Sequence, residues 1–138
     1  MKSNDLATTM NSLLREFDPE KLTNNVIVNG EDWADKDAAA SALEETKKSM
    51  LASYILETVA GARSGALGEK ARTVSMAQAE QTALADPRYI MHLELMVAAR
   101  QESNRARVRY DLGRMKLELI RSLQATLRNE MNISRFNT

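Results

Sequence analysis

From Asp86 to Met131 the chain has no proline after Pro87 and a single glycine, Gly113, and arginine recurs at strict seven-residue spacing at Arg100, Arg107, Arg114, Arg121 and Arg128. A helical pattern of this length constrains everything else in the chain. Asp86 suits an N-cap, and Pro87 suits the first helical position, where its missing N–H costs nothing and its fixed φ already matches a helix. About 45 residues rising ~1.5 Å each make a rod of roughly 70 Å. Helices in water owe most of their stability to packing an apolar face, so such a rod needs partners from its own chain, from a second copy, or from both.

Two apolar lines run along the rod. One passes through Leu93, Val97, Val108, Leu112, Met115, Leu119 and Leu123, and the other through Ala106, Tyr110, Leu117, Ile120, Leu127 and Met131. Gln101 and Asn104 interrupt the first line, so the middle of the rod is wetter than its C-terminal third. Polar residues at such seam positions fix register in coiled coils. Upstream, Trp33, Leu43, Met50, Leu51, Tyr54, Ile55 and Val59 form a stripe between Asp32 and Ala60, with Gly61 placed as a C-cap. This shorter helix is expected to pack antiparallel on the rod. At about 45 Å it is too short to cover both lines. The C-terminal third, with Met115, Leu119, Ile120, Leu123 and Leu127, is then the candidate oligomer interface, because soluble monomers rarely expose large apolar patches. A closed dimer is the first expectation and a higher closed oligomer the second.

The rest of the chain supports this plan. Leu6, Met10, Leu13 and Phe17 mark a short amphipathic helix that Asp18-Pro19 ends. A further turn at residues 20–22 is broken by Thr23-Asn24-Asn25, and Val26-Ile27-Val28 reads as an extended segment with no second strand to pair with. Residues 1–25 are therefore expected to form an N-terminal arm or short helix, and residues 26–138 a single helical domain. Ser64 to Gly68 reads as a connection, and Glu69 to Ala85 as a third helix with Val74, Met76, Ala77 and Leu84 as its main apolar residues. The fold class is all-α, coiled-coil-like and oligomeric. Two Phe, three Tyr and one Trp are few for a β-sandwich, and they agree with packed helices.

Composition excludes several chemistries. With no cysteine there are no disulfides, thiolate zinc sites or thiol nucleophiles. No apolar run approaches the ~18 residues that span a bilayer. The opening MKSNDLATTMNSLLREF is too polar for a signal peptide, so the protein is expected to stay in the compartment where it is made. The net charge of zero hides an asymmetry: residues 1–85 carry nine basic against thirteen acidic side chains, and residues 86–138 carry ten against six. The basic part is expected either to neutralise the acidic part or to face an anionic partner.

The arginine series is the main candidate site. Side chains seven apart lie about 10.5 Å apart along the axis and drift about 20° per step, so they form a shallow ribbon that Arg105, Arg109 and Lys116 widen. Guanidinium forks at this spacing suit a phosphate backbone. Asp111 and Glu118, each four residues after an arginine, offer the competing reading of a self-paired, solvated face, and a subunit interface is a third. Tyr89 and Tyr110 are too few for stacking platforms and read as core. His92, alone in its class, reads as a surface or interface histidine with no metal role. Glu31, Asp32, Asp35 and Asp37 read as acids favoured by a helix N-terminus, and Gly61, Gly65 and Gly68 lack the strand and the Lys-Ser/Thr of a phosphate loop. Neither a catalytic set nor a cofactor site is legible, and no enzyme is expected.

The stretches VNGEDWADKDAA at 28–39, LEETKKSMLA at 43–52, ADPRY at 85–89 and ESNRARVRY at 102–110 resemble small helical proteins encoded by tailed bacteriophages among genes for single-strand annealing recombination and replication. The resemblance covers roughly residues 25–132. It implies a phage accessory protein of the DNA-processing region, acting in the host cytoplasm. The leading expectation is a non-enzymatic adaptor in recombination or replication, contacting single- or double-stranded DNA or a phage recombinase through the rod. The alternatives are an inhibitor that occupies a host protein through its acidic 31–45 region or helical surface, and a purely architectural oligomer.

Overall fold

The computed structural model describes residues 3–16, 18–63 and 74–137. These form four helices, α1 (Ser3–Glu16), α2 (Pro19–Arg63), α3 (Met76–Leu84) and α4 (Pro87–Phe136), with no strand among the described residues. The chain is all-α. It divides into two compact units, Met1–Ala34 with Asn104–Thr138, and Asp35–Ser103.

The two long helices begin alike. Asp18 Oδ1 accepts from Glu20 N at 3.0 Å, and Asp86 Oδ1 accepts from Arg88 N at 2.8 Å, each with proline at the first helical position. Each aspartate satisfies a backbone donor that the first helical turn leaves without a partner. Asp18-Pro19 therefore starts a helix as well as ending one.

That start corrects the expectation for residues 20–31. α2 runs unbroken through Thr23-Asn24-Asn25 and through Val26 to Val28, so the segment expected to be extended is helical and no arm ends at residue 25. Thr23 Oγ1 donates to Pro19 O at 2.8 Å, which satisfies the hydroxyl without leaving the helix. The partner of α4 is thus a 45-residue helix rather than a shorter one confined to Asp32–Ala60. Gly61 is not a C-cap, because the helix continues through it to Arg63.

In the first unit α2 and α4 run antiparallel and approach closely through two glycines. A Cβ on Gly30 would lie 3.1 Å from Tyr110 Cε2, and one on Gly113 would lie 3.1 Å from Val26 Cγ2. Each helix thus inserts a large side chain where the other has none. Trp33 stacks beside Tyr110 with ring centroids 5.6 Å apart. Met10, Ala106, Ile120 and Leu127 are buried in this unit.

The second unit has a core of small residues. Ala40, Ala79, Ala83 and Ser103 are almost fully buried, and Tyr89 and His92 are buried as well. Antiparallel pairing brings Asp37 to Arg100, Leu43 to His92, and Glu57 to Arg88. His92 is buried, not a surface residue as its isolation in the sequence suggested; its Nε2 donates to the Leu43 carbonyl at 2.8 Å. α3 opens with a capping box in which Ser75 Oγ accepts from Gln78 N and Gln78 Oε1 accepts from Ser75 N. It buries Ala79 and Ala83, whereas Met76, Ala77 and Leu84 are exposed, so the apolar residues picked from the sequence lie off its packed side. The expected start of this helix at Glu69, and the connection from Ser64 to Gly68, lie outside the described residues.

Candidate functional site

The arginine series does not behave as one ribbon. Arg100 sits in the second unit, half-buried, and directs four of its five N–H donors to partners within it. Its Nη1 donates to Asp37 Oδ1 at 2.6 Å, while Nε and Nη2 donate to the two oxygens of Glu44 at 2.7 Å each. The same Nη2 reaches Ser41 Oγ at 3.4 Å, and Ser103 Oγ donates to Asp37 Oδ1 at 3.2 Å. The hydrogen bonds from Arg100 hold the Glu44 carboxyl below its ordinary pKa, and the two carboxylates raise that of the guanidinium. This fork-to-fork geometry leaves Arg100 no donor set for a phosphate. It is withdrawn from the nucleic-acid candidates.

In the first unit the other cations fall into two groups. Arg107 Nε lies 3.8 Å from Asp111 Oδ2 and its guanidinium carbon 5.7 Å from the Trp33 ring; Arg114 Nη2 lies 3.8 Å from Glu118 Oε1 and its carbon 5.7 Å from the Tyr110 ring. The i,i+4 ladder anticipated from the spacing is therefore present. Arg109 reaches across to Asp32 at 3.5 Å, and Arg105 also has an interaction within the chain. Lys116, Arg121 and Arg128 are exposed and have no acidic partner among the described residues. Exposed pairs as long as 3.8 Å contribute little and are easily exchanged for another anion.

The acids read as a dipole-stabilised cluster have other work. α2 begins well before them, so Asp32 and Asp37 lie inside the helix, where they meet Arg109 and Arg100. The spacing held a signal for this: Asp37, Ser41 and Glu44 share one face of a helix, matching one arginine opposite. A second cluster centres on Arg88. Arg88 lies 4.3 Å over the Tyr54 ring and bridges Glu57 at 2.7 Å and Asp86 at 2.8 Å; its hydrogen bonds hold the Asp86 carboxyl below its usual pKa.

The apolar candidates separate equally clearly. Ile120 and Leu127 are buried within the first unit and so leave the list of free interface residues, since α2 and α1 extend the chain's own helical cover well beyond what Asp32–Ala60 alone supplies. Leu123 is half-buried, while Met115 and Leu119 are 64% and 61% exposed. Val108 and Leu112, unremarked as interface residues in the sequence, are 56% and 51% exposed. The first apolar line is therefore largely open to solvent, and the second, apart from the exposed Met131, is turned inward.

Among the described residues no cluster of three or more His, Asp or Glu is placed to hold a metal ion, and no helix is long and apolar enough to cross a membrane. The surface depressions along Gln78 to Pro87 and along Ile90 to Gln101 are open and shallow. Comparison with known families, with characterised proteins and with solved structures finds no match.

Proposed function

We propose that this protein is a non-enzymatic accessory protein of phage DNA metabolism that contacts a nucleic-acid backbone through the C-terminal half of α4 and works as a homo-oligomer in the host cytoplasm. One observation carries the contact. Residues 104–137 hold eight basic side chains against three acidic ones, and among them Arg121 and Arg128 extend the seven-residue series with no acidic partner among the described residues. They lie about 10.5 Å apart along the helix. The ion pairs of Arg107 and Arg114 are long and exposed, so both can join them when a polyanion displaces Asp111 and Glu118. Self-association multiplies such ribbons on one particle and raises avidity. The phage setting rests on the resemblance of the 28–110 stretches alone.

The reading as an inhibitor that imitates an acidic partner has less support. Asp32, Asp37 and Glu44 are engaged by arginines of the same chain. The test of the leading reading is fluorescence anisotropy with labelled single- and double-stranded oligonucleotides across a salt series. Binding should weaken as salt rises, with a log–log slope of about −1 to −4 for one to four phosphate contacts. An Arg121→Glu and Arg128→Glu double variant should lose most of it; unchanged affinity in that variant, or no binding at low salt, overturns the proposal.

A further inference from the structure

Val108, Leu112, Met115 and Leu119 follow one another at spacings of four, three and four, which is the alternation of a two-stranded helical seam. All four lie in the first unit and all are more than half exposed. On a helix advancing about 100° per residue they fall within about 60° of one another, on the side opposite Ala106, Tyr110 and Leu117, which are turned into the unit. The exposed line is therefore a second packing face rather than the frayed edge of the first.

The charges beside this line say what covers it. Asp111 and Glu118 lie along one flank, and Arg109 and Lys116 along the other. At the positions bordering the line one flank is acidic and the other basic, with Arg107 and Arg114 behind the two acids and paired to them, so the border is complementary to itself. A two-fold axis parallel to the helix sets the acidic flank of one copy against the basic flank of the next, and Asp111 then meets Lys116 of the second copy, five residues on, as flanking positions do in parallel pairs. Turning one helix round places Asp111 opposite Glu118 and Arg109 opposite Lys116, like against like on both flanks. The 3.8 Å contact of Asp111 with Arg107 is too long and exposed to prevent the exchange.

We infer that a second copy of this chain docks on the Val108–Leu112–Met115–Leu119 line of α4, parallel and in register, with Asp111 and Lys116 forming reciprocal ion pairs across the two-fold axis. This rests on the homo-oligomeric part of the function proposed above and is independent of the nucleic-acid contact. The chain has no cysteine, so introduced ones report without interference. Met115→Cys should give a disulfide-linked dimer on mild oxidation, because the parallel arrangement places position 115 beside its own copy. An antiparallel pair would instead link Leu112→Cys to Met115→Cys in a mixture and leave each variant alone unlinked, which overturns the parallel arrangement but keeps the oligomer. Sedimentation at micromolar concentration should give twice the chain mass, and a monomer overturns the proposal outright. Asp111→Lys should weaken dimerisation at least several-fold and Asp111→Lys with Lys116→Asp should restore it; failure of the double exchange to restore it overturns the charge assignment. Leu112→Asp with Leu119→Asp should halve the mass with helix content retained by circular dichroism, since neither side chain is buried in a single chain; an unchanged mass removes the line from the interface.

Discussion

Arg100 Nη1 donates to Asp37 Oδ1 at 2.6 Å, and Ser103, one turn along α4, donates its hydroxyl to the same oxygen at 3.2 Å. With Glu44 held by the other edge of the guanidinium, one side chain ties two turns of α2 to a single turn of α4. The residue that heads the seven-residue series is thus a clamp within the second unit.

Arg100→Lys should lower the thermal midpoint while leaving helix content unchanged at low temperature. A lysine keeps the charge but cannot donate in a fork to Glu44 and reach Asp37 together. Thermal melts followed by circular dichroism check this.

The clamp also sets an acid limit. The Glu44 carboxyl is held by Arg100 below the ordinary glutamate value of about 4.5, so folding retains the benefit above the unfolded-state pKa and loses it as pH falls through the lower folded value. Asp86, held below 3.8, acts in the same sense. Stability should therefore decline as the pH falls below about 4.5, and Glu44→Gln should flatten part of that decline while lowering stability at neutral pH. Urea unfolding at a series of pH values measures both.

Gly30→Ala should destabilise the first unit by about 0.5–2 kcal/mol, because overpacking outweighs the ~1 kcal/mol gained in helix propensity. The new Cβ would meet Tyr110 Cε2 at 3.1 Å and Cδ2 at 3.3 Å, and that ring is backed by Trp33 and covered by Arg114. Trp33, the only tryptophan, gives a fluorescence signal for the displacement.

Gly61→Ala is the opposite case. Nothing lies within 4 Å of the position its Cβ would take, and the residue is helical and exposed. It should stabilise by about 0.5–1 kcal/mol through lower unfolded-state entropy and better propensity. A rise in the urea midpoint with unchanged slope is the expected signature.

His92→Ala should cost about 1–3 kcal/mol, from the cavity left in a small-residue core and the lost bond to the Leu43 carbonyl. Chemical unfolding of the purified variant checks it.

The all-α class, the start of α4 at Asp86-Pro87, the two apolar lines and the i,i+4 partners of Arg107 and Arg114 were legible in the residues, because each follows from local spacing on one helix. The start of α2 was equally legible, since Asp18-Pro19 carries the same capping signal, but Thr23-Asn24-Asn25 looked like a break and Val26-Ile27-Val28 like an extended segment. They are helical because tertiary packing outweighs their low propensity: Gly30 has no side chain where Tyr110 needs room, and Gly113 does the same for Val26. Which arginine is committed, and which apolar line faces inward, was decided only in three dimensions. Both depend on what lies across the helix pair at each level, Asp37 and Glu44 opposite Arg100, Asp32 opposite Arg109, and that opposition is set by the register of α2 on α4, to which seven-residue spacing within one helix is blind.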